Sequence, residues 1–259
     1  MTIDSSSKKF IVSGCSFSAP DGTGREWPQL FMAHLPDYTL INKSVQSRGN
    51  GLISRAVIYE VQNQLQNGVL PEDILVAVQW SGWDRHENYV SLPSGKEQEL
   101  SFERVFDKKT GKYWKRHKVQ GFIDDMPDSW EIYNHHWEHK NSKLYYSTFH
   151  SDTGKLIESL EHILRTQWFL EKHNIKYFMT TMIKFPDSCD ETEHLFQMID
   201  KSKFLPVSGM FEWGKSTGLP LRDDIPINRS VCGHLSLEQN GIFADTVVLP
   251  FLINTVTSS

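Results

Sequence analysis

Three short apolar runs, each ending in a cluster of small polar residues, limit what this chain can fold into. Asp73–Gln79 (DILVAVQ) is apolar nearly throughout, as suits a central parallel strand buried on both faces. Phe10–Val12, inside Lys9–Ser18 (KFIVSGCSFS), is a shorter run of β-branched and aromatic residues, and Tyr38–Lys43 (YTLINK) is a second strand. Between them, Trp27–Leu35 (WPQLFMAHL) reads as a short helix with Pro28 in its first turn. Leu52–Gln66 reads as an amphipathic helix. Ile53, Val57, Val61 and Leu65 recur at i+4 spacing, Glu60, Gln62 and Gln66 face away, and Gly68 closes it. Strand, helix, strand, helix, strand is the βαβ rhythm of a doubly wound sheet.

The rhythm breaks over 87–150 and then returns. Glu103–Asp107 and Lys112–Val119 read as a hairpin around KKTG, its lysines guarding a solvated edge, and Asp124–His150 is rich in aromatics, acids and histidines. Ser151–Asn174 is again helix, and Ile175–Met182 (IKYFMTTM) is the fourth strand. A short helix over Glu191–Lys201, a weak fifth strand at Phe204–Val207, a loop over Ser208–Arg229 and a last helix from about Leu237 complete the chain. The expectation is one α/β domain over 1–259: a three-layer α/β/α sandwich, its mostly parallel sheet of four to five strands, with a long insertion (87–150) after the third strand.

Composition excludes several classes. Hydrophobic content of 39% and charged content of 23% describe an ordinary globular chain, and a net charge of -5 argues against a nucleic-acid partner. Cys15, Cys189 and Cys232 are too scattered for a disulfide framework, which fits a reducing cytoplasm. Neither a secretory leader nor a membrane-length apolar run is present, so no membrane partner is expected. His135 and His139 in HHWEH have helical metal-ligand spacing, but the glutamate beside the first histidine that H-E-x-x-H requires is missing. The segment therefore reads as an exposed polar helix. Tryptophans mostly outside the regular core elements (Trp80, Trp83, Trp114, Trp130, Trp137, Trp213) serve either to anchor loops or to line a groove for a sugar or acyl chain.

The chemistry concentrates where strands end. Three consecutive strands deliver GCS, RGNG and WSGWDR to one edge of the sheet, and the carboxyl edge of an open α/β sheet is where ligands bind. Gly14 permits a tight turn after the first strand, letting the Ser16 hydroxyl project into the crevice. A serine in such a turn also serves as an ordinary cap. His234, just before the last helix, can swing back over the same edge. A hydroxyl, an imidazole and loops with exposed N–H groups are what acyl transfer needs. A Cys15 thiol paired with His234 is a weaker variant.

In this order the parts resemble those of the SGNH (GDSL-like) hydrolases, including the short members that phages carry. GCSFS (Gly14–Ser18) looks like the first block of that family, with Cys15 at the usual aspartate and Ser16 at the nucleophile. NKSVQSRGNG (Asn42–Gly51) looks like the second, VAVQWSGWDR (Val76–Arg85) stands at the third, and GHLSLEQNGIFAD (Gly233–Asp245) resembles the last. The resemblance implies a flavodoxin-like sheet and a serine ester hydrolase needing no cofactor and no metal. Its catalytic residues would be Ser16 and His234, with Gly49, Asn50, Ser81 and Asp84 at the oxyanion or substrate. The substrate would be a small-molecule or O-acylated carbohydrate ester, met in the cytoplasm, or in a host's cytoplasm for a phage-borne chain.

Two departures matter. The third block has no asparagine: Trp83 precedes Asp84, and Ser81 is the nearby side chain able to donate. The position three residues before His234, where the family carries its acid, is Val231. Three alternatives follow. Asp223 or Asp224 supplies the acid from a neighbouring loop, Ser16 and His234 act as a slower dyad, or the scaffold has kept its shape as a binding or structural protein without the chemistry.

Overall fold

A computed structural model describes residues 8–20, 22, 24–90, 102–107, 112–117, 119–120, 129–134, 140–222 and 233–256. Strands β1 (Lys8–Ser13), β2 (Tyr38–Asn42), β3 (Ile74–Trp80) and β9 (Lys176–Thr181) form a parallel sheet in the order β2-β1-β3-β9. Alternation along each strand builds two cores. Ile11, Val76, Val78 and Trp80 face the long helices Asn50–Gln66 and Asp152–Lys172. Phe10, Val12, Leu75 and Ala77 face Trp27, Phe31, Phe243 and Val248, from the Trp27–Phe31 helix and the carboxyl-terminal helical stretch. The architecture is thus a three-layer α/β/α sandwich. Each large side chain fully buried in it contributes about 1.5–3 kcal/mol.

Local signals set the helix ends. Gly68, at φ 84, follows the last turn of Asn50–Gln66, and Asn174, at φ 54, plays the same part after Asp152–Lys172. Ser151 caps the start of the latter by accepting the Gly154 N–H at 3.1 Å.

Four expectations need correction. Glu60 does not face away. It is 5% exposed, accepts from Gln64 Nε2 at 2.7 Å, and lies 3.9 Å from the Lys43 ammonium just beyond β2. Trp80 is a fully buried core residue at the end of β3, not a loop anchor. The stretch after Ser208 holds a helix, Met210–Ser216, because Met210 is buried and Gly214 lies where any Cβ would strike the Leu235 side chain. At Phe204 there is one parallel bridge to Met179 rather than a fifth strand.

Within 87–150, β4 (His86–Val90) and β7 (Val119–Gln120) pair antiparallel with β8 (Ser129–Tyr133). The hairpin is β5 (Phe102–Asp107) with β6 (Lys112–His117), and a helix spans Lys140–Thr148. His135, His136 and His139, like Asp223, Asp224, Val231 and Cys232, lie outside the described residues. Among the described residues no helix is long and apolar enough to cross a membrane, and no group of three or more metal-ligating side chains is assembled.

Candidate active site

The strand order reverses at β1, with β2 on one side and β3 on the other, so the crevice opens beyond the end of β1. There the chain makes one tight turn: the Cys15 carbonyl accepts the Ser18 and Ala19 N–H groups, both at 3.0 Å. Every residue from 11 to 19 is buried except Ser16. The turn is pinned from three sides. Trp27 Nε1 donates to Ser18 Oγ at 2.9 Å, Asn42 Nδ2 donates to the Ser18 carbonyl at 2.8 Å, and the Cys15 N–H donates to Gln79 Oε1 at 3.0 Å. Gly14 is needed because Gln79 fills its flank: a Cβ there would sit 2.9 Å from Gln79 Cβ and 3.1 Å from its carbonyl oxygen.

His234 comes from the other end of the chain. Ser236 and Gln239 form a capping box at the start of the Leu237–Phe243 helix, and the buried Gln239 amide also donates to the Gly214 carbonyl at 2.7 Å. The Arg222 N–H donates to the His234 carbonyl at 3.0 Å, and Phe17 stacks on the imidazole with centroids 4.7 Å apart. So held, His234 Nε2 lies 2.7 Å from Ser16 Oγ. A cavity of about 360 Å³ opens on the pair, walled by apolar Phe17, Leu221 and Leu237 and by charged Arg25, Glu26 and Arg222.

The other site residues expected from the sequence lie elsewhere. Gly49, Asn50, Ser81 and Asp84 do not line this cavity. Both ends of the Asn50 amide are committed: Oδ1 accepts the Ser81 N–H at 2.8 Å and Nδ2 donates to Ser159 Oγ at 3.0 Å. Ser81 Oγ is buried with no hydrogen-bond partner among the described residues, and the Asp84 carbonyl accepts from Tyr146 at 2.7 Å. Cys15 is fully buried, its thiol against Gln79 Oε1 at 3.3 Å and Met182 Sδ at 3.6 Å, so it points away from His234's partner.

Asn50 and Gly51 instead border a second cavity of about 170 Å³, with Arg55, Glu87 and His162. Glu87 Oε1 accepts the Leu52 N–H at 2.9 Å, Oε2 lies 3.4 Å from Arg55 Nη1, and the carboxylate covers Gly49 and Gly51. Arg55 in turn stacks over Trp130 at 4.2 Å. Burial raises the Glu87 carboxyl above its ordinary value. Burial, then Arg165, Arg55 and Lys155, holds His162 down to about 3. Sequence reasoning missed Gln79 and Glu87. The signal for Gln79 was a polar residue near the end of an otherwise apolar strand, whereas Glu87 left none.

No protein-family model matches the chain, and no curated protein matches it.

Proposed function

We propose that the chain is a serine ester hydrolase of SGNH type, acting by acyl transfer through Ser16 and His234. The observation that carries this reading is the 2.7 Å approach of His234 Nε2 to Ser16 Oγ at the mouth of a cavity. Ser16 Oγ attacks the ester carbonyl and its proton passes to Nε2, leaving a tetrahedral oxyanion. As the oxyanion collapses, the bond to the leaving oxygen breaks and the imidazolium returns the proton to the departing alcohol. Water then attacks the acyl-serine, giving its proton to Nε2, and the acid leaves as Ser16 is reprotonated.

The Ser16 N–H supports the oxyanion. The Cys15 carbonyl is held by Ser18 and Ala19, and in a planar trans peptide the Ser16 N–H points the opposite way. Apolar and charged walls together suit an O-acylated carbohydrate, with an apolar acyl group and a polar leaving group. The commitment of the Asn50 amide to Ser81 and Ser159 favours a second reading, a binding or structural protein on the same scaffold.

A fluorophosphonate probe decides between them. Labelling that disappears in Ser16→Ala, with p-nitrophenyl acetate turnover, is expected of the hydrolase. An unlabelled, inactive wild type would leave the scaffold reading.

A further inference from the structure

We propose that Gln79 is the positioning residue of this centre, fixing the Ser16 backbone, and with it the Ser16 N–H and the root of its side chain, from beneath the turn. The inference rests on the hydrolase reading. Gln79 is fully buried, one residue before the end of β3, and never reaches the cavity that Ser16 opens on. Its side chain nevertheless touches the turn on both sides of Ser16. Oε1 accepts the Cys15 N–H at 3.0 Å, the Cys15 thiol at 3.3 Å and the Ser18 hydroxyl at 3.4 Å. The amide cannot rotate away, because Nε2 donates to the Trp80 carbonyl at 2.6 Å. Three donors on one oxygen exceed what a turn needs for its backbone to be satisfied.

The consequence is geometric. Gln79 fixes the peptide entering Cys15, and the Ser18 and Ala19 N–H groups fix the carbonyl leaving it. The plane of the Cys15–Ser16 peptide is then determined, and with it the direction of the Ser16 N–H. Ser18, the next anchored residue, is held by Gln79, by Trp27 and by Asn42. Ser16 keeps freedom only about its own side-chain torsion, which His234 takes up. Gly14 is the complement of this arrangement, its missing Cβ making room for the Gln79 side chain.

Wild type, Gln79→Leu, Gln79→Glu and Ser16→Ala are compared as full chains by fluorophosphonate labelling rate, by kcat and KM for p-nitrophenyl acetate, and by thermal midpoint. Gln79→Leu, of similar size and without hydrogen bonds, should lower the labelling rate and kcat of folded protein about 100-fold and leave KM unchanged. Gln79→Glu keeps an acceptor for Cys15 and, when protonated, regains the donor to Trp80. Its rate relative to wild type should therefore climb as pH falls. That ratio decides the matter if Gln79→Leu does not fold. A merely structural glutamine would lower the midpoint while labelling of the folded protein and the pH ratio stayed flat, and either flat result overturns the proposal. Labelled wild type with undiminished Gln79→Leu sinks the positioning role alone, whereas an unlabelled wild type sinks the hydrolase reading and the positioning role together.

Discussion

His234 Nε2 and Ser16 Oγ meet at 2.7 Å across 218 positions of chain, and each side of the contact is held by its own element. Gln79 holds the serine turn from β3, and the capping box of the Leu237–Phe243 helix holds the histidine segment. His234→Gln keeps a polar side chain of similar reach but removes a base able to take the hydroxyl proton. Fluorophosphonate labelling should slow by about 10² to 10⁴-fold, the range for loss of a general base. The thermal midpoint should stay near that of wild type, since the imidazole is only half-buried. Labelling at the wild-type rate would mean that the imidazole does not activate Ser16.

Gly14→Ala tests the packing under the same turn. The added methyl would meet Gln79 Cβ and the Gln79 carbonyl, and backbone cannot move aside as the end of a flexible side chain can. Overpacking of this kind costs about 1–3 kcal/mol. For a chain of this size that lowers the thermal midpoint by about 2–4 °C per kcal/mol. A midpoint equal to wild type would show that β1 and β3 separate there at no cost.

The fold was legible because its signals are local and periodic. Ile11 alternates with Phe10 and Val12, and Val76 with Leu75 and Ala77, so each strand announces two buried faces. Glu60 was misread because helical periodicity says nothing of Lys43, which brings a countercharge from beyond another strand. The Met210–Ser216 helix was hidden by Gly209 and Gly214, residues that ordinarily mark loops. The meeting of residues 16 and 234 followed from topology, since the first strand ends beside the start of the last helices. Which cavity Asn50 and Gly51 border did not follow. That depends on Glu87 reaching over from β4, a tertiary contact with no local pattern.

Glu87 makes the fold prefer low pH at one place. Burial outweighs the Leu52 N–H and the Arg55 charge and raises its carboxyl above the ordinary 4.5. The folded chain therefore keeps this proton where the unfolded chain has lost it. Its contribution is greatest below 4.5 and declines as pH rises towards the folded value. Glu87→Gln keeps the shape and an acceptor for Leu52, and it never ionises. Urea midpoints from about pH 4 to 8 should show the variant gaining on wild type as pH rises. A difference independent of pH would mean that the carboxylate is fully compensated where it sits.

His162, in the wall of the same cavity, works in the opposite sense. Burial first, then the Arg165, Arg55 and Lys155 charges, lowers its imidazole from 6.5 to about 3. Between those values the unfolded chain binds a proton that the folded chain refuses, so the stability present above 6.5 is lost as pH falls towards 3. His162→Gln cannot charge, and it should be more acid-resistant than wild type, by a margin that widens as pH drops below about 6.5. The two side chains share a cavity, so their effects should not add. Urea midpoints of the two single variants and the double variant measure this directly. If the double variant equals the sum of the singles at every pH, the two groups titrate independently and the cavity does not couple them.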